Sequence, residues 1–197
     1  MNAAQESVEQ TSDITYLGVD LASTGGDDSV YVCIDDDGNV FHIESTSDKP
    51  MTDAMGRIRE LDAYFSFSKI VVDSTSLGQG TVDQVRETLG RKVEGFKFSN
   101  EKKQSLYNTL KPSFQNGDIA FPYIPGRNNE AGNKLANECM DLEYSFTSTG
   151  RMRIQHPPNG HDDFADAMAL AVWARSQTQY AAPDAGSLRP FTPGSLR

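Results

Sequence analysis

Two short apolar runs each close on an aspartate: YLGVD on Asp20 and KIVVD on Asp73. A continuous apolar run bounded by turn residues suits a strand covered on both faces. ITYLGVDL therefore reads as one buried strand and KIVVDST as another, central one. Between them, SVYVCIDD and VFHIEST flank a DDGN hairpin turn and complete a three-stranded meander. After the meander come a helix over 52–66, with Met55, Ile58, Leu61 and Phe65 at helical spacing, and the strand ending in Asp73. A helix over 78–89 and the strand VEGFKFS follow. Next are a helix over 100–116 that Pro112 should bend or shorten, a short edge-like strand DIAFP, and a helix over 129–143. The hairpin YSFTSTGRMRIQH and a last helix over 162–177 complete the order. The implied class is α/β, a central mixed sheet with helices on both faces.

The ends read differently. Residues 1–13 are polar, and 179–197 are rich in Pro, Gly and Ser; both are expected to be disordered. The folded domain is then 14–178. The N-terminus has neither a basic start nor an apolar core, and no run is long enough to span a membrane. Cys33 and Cys139 lack metal-site spacing and read as two reduced thiols, with one disulfide as the other option.

The net charge is -10, and 18 of the 28 acidic residues are Asp. That balance excludes a generally basic nucleic-acid-coating protein. It leaves a nuclease open, because metal cations bring positive charge to a phosphate themselves. The Asp excess would also suit work at high salt, which stability against KCl concentration would test.

If the strands ending in Asp20 and Asp73 are neighbours, both carboxylates emerge at one sheet edge, where sites of α/β proteins collect. Either residue could equally be a turn-former through an Asx-type hydrogen bond. The last helix opens HDDFADAMALAVWA. Asp162 could cap it. Asp166 sits a turn further in, among Ala165, Ala167, Ala169, Leu170, Ala171 and Trp173, where an ionised carboxylate is costly unless paired or metal-bound. Asp163 shares a face with it at i, i+3. No Lys or Arg lies between Arg153 and Arg175, so no cationic partner is visible nearby. Such carboxylates could converge on Mg²⁺ or Mn²⁺, which favour oxygen ligands. Two ions would allow phosphodiester hydrolysis by activated water, with no protein nucleophile.

The element order resembles the ribonuclease H-like fold. Four stretches together resemble the C-terminal nuclease domain of a tailed-virus large terminase, from a phage or an archaeal virus. They are YLGVDLASTGGDDSV, KIVVDSTSLGQG, VEGFKFSNEKKQSLYNTLKPSFQNGDIAFP and YSFTSTGRMRIQHPPNGHDDFADAMALA, and they cover about 15–178. Each is weak alone; their order and spacing are specific. The resemblance implies metal binding by Asp20, Asp73 and Asp163, with Asp166 catalytic in or near the shell, and a Lys near the helix start (Lys103 or Lys102). His161 and Asp162 are accessory candidates; His161 could also merely end the loop. The implied activity is metal-dependent cutting of concatemeric double-stranded DNA with little sequence specificity. The implied partners are the terminase ATPase domain, the small terminase subunit and the portal, and the implied location is the host cytoplasm at the procapsid. No GxxxxGK[ST] loop occurs, so a nuclease module alone is expected.

For DNA contact the best candidates are Lys102 and Lys103, within a cluster that includes Lys97 and Lys111, and Arg151 and Arg153 on the hairpin. Three rivals remain. A Holliday-junction resolvase-like or ribonuclease H-like nuclease would share the acids. An ATP-handling protein of the actin and sugar-kinase type would need a second domain that this length does not hold. An inactive DNA or portal docking module would not need the acids.

Overall fold

The computed structural model describes residues 7–22, 28–75, 79–127, 130–146, 152–158 and 160–179. The described elements run β1 (Thr15–Asp20), β2 (Asp28–Asp35), β3 (Val40–Ser47), α1 (Met51–Phe65), β4 (Lys69–Asp73), α2 (Gln79–Leu89) and β5 (Val93–Phe96). Then come α3 (Asn100–Asn116), α4 (Ala131–Asp141), β6 (Glu143–Phe146), β7 (Met152–Gln155) and α5 (Asp163–Gln179). A single 3-10 turn, Gly90–Lys92, links α2 to β5.

Five strands form one sheet in the order β3-β2-β1-β4-β5. The meander is antiparallel, while β1, β4 and β5 run parallel. The sheet is therefore mixed, and β6 and β7 form a separate antiparallel pair. Side chains alternate across a strand, and this splits the core in two. Tyr16, Val30, Val32, Ile34 and Val71 face α3, α4 and α5. Leu17, Val19, Tyr31, Cys33, Ile70 and Val72 face α1 and α2. The expected layers, helices on both faces of a mixed sheet, are present.

The last helix is the inner one. α5 packs on β1, β2 and β4 below and on α3 and α4 beside it. Ala165, Ala167, Met168, Ala169, Leu170 and Ala171 are completely buried. An ordinary amphipathic helix would leave one face wet; here every residue from Phe164 to Val172 is buried, because this stretch has neighbours on all sides.

Local details depart from the sequence expectation in two places. α3 runs on past Pro112 to Asn116 and is not shortened there; Gly117, in the left-handed region at φ 75, ends it. DIAFP forms no strand: Ala120 makes only an isolated parallel bridge to Asn39. Pro122, two residues on, sits in a further isolated bridge, and its missing N–H keeps the run from becoming a ladder.

From residue 7 the N-terminal segment is fastened down. Val8 is buried. Thr11 and Ser12 donate backbone N–H groups to Asp35 Oδ2 at 2.8 and 3.3 Å, while Asn39 N–H meets Oδ1 at 2.8 Å. Residues 1–6 and 180–197 lie outside the described residues. Among the described residues, no helix is long and apolar enough to cross a membrane.

Candidate functional site

Register decides where the first two acids fall. In the parallel β1–β4 pair, Gly18 lies beside Val71 and Val19 beside Val72, so Asp20 and Asp73 come next, at the carboxyl ends of adjacent strands. Alternation turns both toward the α5 face, with Gly18 and Val71. Asp73 is buried, 9% exposed. Its Oδ1 accepts from Thr75 N at 2.8 Å and from Thr75 Oγ1 at 2.6 Å. The turn-forming role and the site position are thus compatible in one residue. Thr75 Oγ1 in turn accepts Phe98 N–H at 2.8 Å, which ties this turn to the end of β5.

α5 is brought over the strand ends by the absence of a side chain. A Cβ on Gly18 would stand 2.1 Å from the Ala167 carbonyl oxygen and 2.3 Å from the Ala171 nitrogen. Helix backbone therefore lies directly on strand backbone. This close approach sets Asp163 and Asp166, in the first turn of α5, near Asp20.

Asp166 is paired after all, by residues far away in sequence. Lys103 Nζ donates to Asp166 Oδ2 and to Asp162 Oδ2, each at 2.7 Å. Tyr107 Oη donates to Asp166 Oδ1 at 2.6 Å. Lys103 and Tyr107 are spaced i, i+4 on α3 and present one face to α5. The ammonium also lies 5.5 Å from the Phe98 ring centroid. The sequence groups Lys103 with Lys102 as a phosphate contact; the structure separates them. Lys103 is turned inward onto two carboxylates, while Lys102 is exposed.

Glu138 of α4 and Tyr107 are site neighbours that the sequence reading missed. Glu138 Oε2 accepts the N–H groups of Phe164 at 2.7 Å and Ala165 at 3.1 Å. Tyr107 carried a faint signal, its i, i+4 spacing from Lys103. Glu138 carried none, because its partners are 26 and 27 residues away.

The electrostatics follow from this crowding. Burial, then the charges of Asp166, Asp73 and Asp163, hold the Asp20 carboxyl well above the usual carboxylate range, with Lys103 opposing. Burial also raises Asp73, against hydrogen bonds from Thr75 and one shared with Asp20. Asp166 is pushed up to about 6 by burial, moderated by Lys103. Glu138 is pushed up to about 7, again by burial first and then by Asp163 and Asp162.

Asp20, Asp73, Asp163 and Asp166 thus act on one another at this edge, with Lys103 as an opposing charge. Hard carboxylate oxygens in excess suit a hard divalent cation in kind and in charge. As the side chains stand, no three His, Cys, Asp or Glu among the described residues are grouped closely enough to hold one ion. Asp20 and Asp73 share a side-chain hydrogen bond.

The other candidates lie further out. His161 is 68% exposed, with Nδ1 3.9 Å from Asp163 Oδ2. A cleft of about 430 Å³ opens beside Asp163, lined by Lys134, Asn137, Glu138 and His161 among others. Arg153 is exposed on β7, whose neighbour Ile154 anchors the hairpin in the core. Arg151 lies outside the described residues. Lys102 Nζ sits 5.6 Å from the Phe96 ring centroid, and Lys111 Nζ 5.5 Å from that of Tyr144.

A family model described as the terminase RNaseH-like domain matches residues 17–175. Among solved structures, the chain is similar to the large terminase nuclease from thermophilic phage G20c with bound magnesium. The identity is 20% and the TM-score 0.71, over 86% of this chain and 92% of that one. It is also similar to the large terminase nuclease domain of Thermus phage P74-26, with 22% identity, TM-score 0.65, and 80% and 77% of the two chains covered. For the nuclease domain of the large terminase subunit gp2 of bacterial virus Sf6 the values are 16%, 0.60, 86% and 89%. Among curated protein sequences, none matches the chain. The fold shared with these structures is the ribonuclease H-like one.

Proposed function

The chain belongs to the terminase RNaseH-like domain family, and from that premise we propose that it is a metal-dependent DNA endonuclease module of a viral packaging terminase. The observation that carries the proposal is that three further carboxylates, from β4 and α5, act on Asp20 at the ends of adjacent parallel strands, with the Lys103 ammonium opposing them. Asp20, Asp73 and Asp163 supply the oxygens for Mg²⁺ or Mn²⁺, two ions in the full site. Bound, these cations supply Lewis acidity at the phosphate and make hydroxide available from water near neutral pH.

The chain's own groups do the rest. Asp166 is held by Lys103 and Tyr107, so it fixes α5 against α3 and adds negative charge behind Asp20. Lys102 and Arg153 stand exposed, and with Arg151 they meet the DNA backbone. Such contacts read phosphate rather than base, which suits cutting with little sequence preference. His161 and Asp162 border the same edge. The substrate is concatemeric double-stranded DNA. The ATPase domain, small subunit and portal are the partners in the host cytoplasm at the procapsid.

The test is cleavage of supercoiled plasmid by the full chain with Mn²⁺, Mg²⁺ or EDTA, beside Asp20→Ala and Asp163→Ala. Metal-dependent cutting by the parent, lost in both variants, is expected. Cutting that persists in both variants, or a preference for four-way junctions or RNA–DNA hybrids over plain duplex, would overturn the proposal.

A further inference from the structure

Every helix start leaves N–H groups without partners inside the helix, and a side chain at the N-cap usually satisfies those of the second or third residue. In α5 the residue in that place is Asp162, whose carbonyl accepts Asp166 N–H at 2.7 Å. Its carboxylate is engaged elsewhere, by Lys103 at 2.7 Å. The two N–H groups it would have capped, those of Phe164 and Ala165, are taken by Glu138 from α4. Glu138 is well placed for this. Leu135 and Ala136, just before it, are buried and fix α4 against the core. A second hold comes from Lys134, whose ammonium lies 5.5 Å from the Phe164 ring centroid.

The consequence falls on Asp163. It is the first residue of α5, directly before the two capped amides, so the backbone that aims its carboxylate is fixed by Glu138. We propose that Glu138 is a positioning residue that caps α5 from outside the helix and thereby sets Asp163 for metal binding. The metal half of this inference rests on the proposed role of Asp163; the capping half does not. The division of labour is chemical. Asp162 is turned to Lys103, and a second acid, Glu138, takes the backbone N–H groups.

The test uses the full chain with Glu138→Ala, Glu138→Gln and Glu138→Asp, and Val85→Ala in the opposite core as a purely structural control. Two quantities are read: amide exchange at Phe164 and Ala165, and Mn²⁺ affinity by calorimetry. Glu138→Ala should speed exchange at both amides about fivefold, the size of a lost cap, and weaken Mn²⁺ binding about tenfold. Glu138→Gln keeps an acceptor oxygen and should stay within about twofold of the parent in both. Glu138→Asp, too short to reach both amides, should behave like Glu138→Ala and replaces it if that variant does not fold. Val85→Ala should leave Mn²⁺ affinity unchanged.

Unchanged exchange in Glu138→Ala would overturn the capping role. A loss of affinity in Glu138→Gln equal to that in Glu138→Ala would make the charge itself the active element and overturn positioning. An equal loss in Val85→Ala would reduce the effect to general destabilisation. A parent that binds no Mn²⁺, or an Asp163→Ala variant that binds it normally, would sink the metal reading and the positioning role together, with the exchange data still deciding the cap.

Discussion

Replacing Gly18 with alanine adds one carbon, at the point where β1 touches α5. The new Cβ would meet the Ala167 carbonyl oxygen at 2.1 Å, the Ala171 nitrogen at 2.3 Å and the Ala171 Cα at 2.9 Å. Even a tight contact needs about 3.2 Å, so the helix must retreat by roughly 1 Å. All three atoms are backbone, so no rotamer change relieves the clash. Overpacking of this kind costs about 1–3 kcal/mol, or a fall in Tm of roughly 2–12 °C for a chain of this size. The larger effect falls on the site. α5 carries Asp163 and Asp166, and a displacement near 1 Å can cost about a hundredfold in rate. Thermal unfolding followed by circular dichroism and Mn²⁺-dependent plasmid cleavage measure the two effects. A further Ala171→Gly change should rescue neither, since it removes none of the clashing atoms. A Gly18→Ala protein that melts within about 1 °C of the parent and cuts at the parental rate would refute the close-approach reasoning.

Two other predictions concern charge. Lys103→Met should destabilise by about 3 kcal/mol in urea titration, because it strands Asp162 and Asp166 without their counter-charge. Adding Asp166→Asn should recover part of that loss, and a double variant no better than the single would speak against the pairing. Glu44 gives a pH effect. Burial alone would raise its carboxyl, but hydrogen bonds from Arg57, at 2.6 and 2.7 Å, and from His42 bring it down to about 2. A depressed carboxylate stabilises the fold above its unfolded value near 4.5 and loses that contribution as pH falls toward 2. With Arg57 partly exposed, about 1 kcal/mol is expected. Glu44→Gln should therefore flatten the change in unfolding free energy between pH 7 and pH 2.5, and an unaltered slope would count against it.

The strands bearing Asp20 and Asp73 are legible in the sequence because a short apolar run closed by an acid is a local pattern. Their adjacency was a condition the sequence left open, and the parallel β1–β4 pairing supplies it. The alanines of α5 let it lie close to the sheet, and Gly18 supplies the other half of that contact. Long-range pairing is what local patterns do not carry. Asp166 looked uncompensated because its cation is 63 residues away, on another helix. Glu138 reads as an ordinary helix acid until α4 and α5 are side by side. The hold of Asp35 on residues 11 and 12 was hidden for the same reason: a polar terminal segment reads as loose unless its partner is known.

The position of α5 also governs when the chain becomes chemically competent. β1 is made well before α5, which packs upon it; Arg175 Nε reaches back 139 residues to the Asp36 carbonyl. Contacts of such long range close late and slow the search for the fold. A ribosome-bound chain that has emerged only through β5 holds Asp20 and Asp73 without the helix that faces them or the lysine that offsets its charge. The acidic edge at the ends of β1 and β4 is therefore completed only once α5 has been made and has packed on β1.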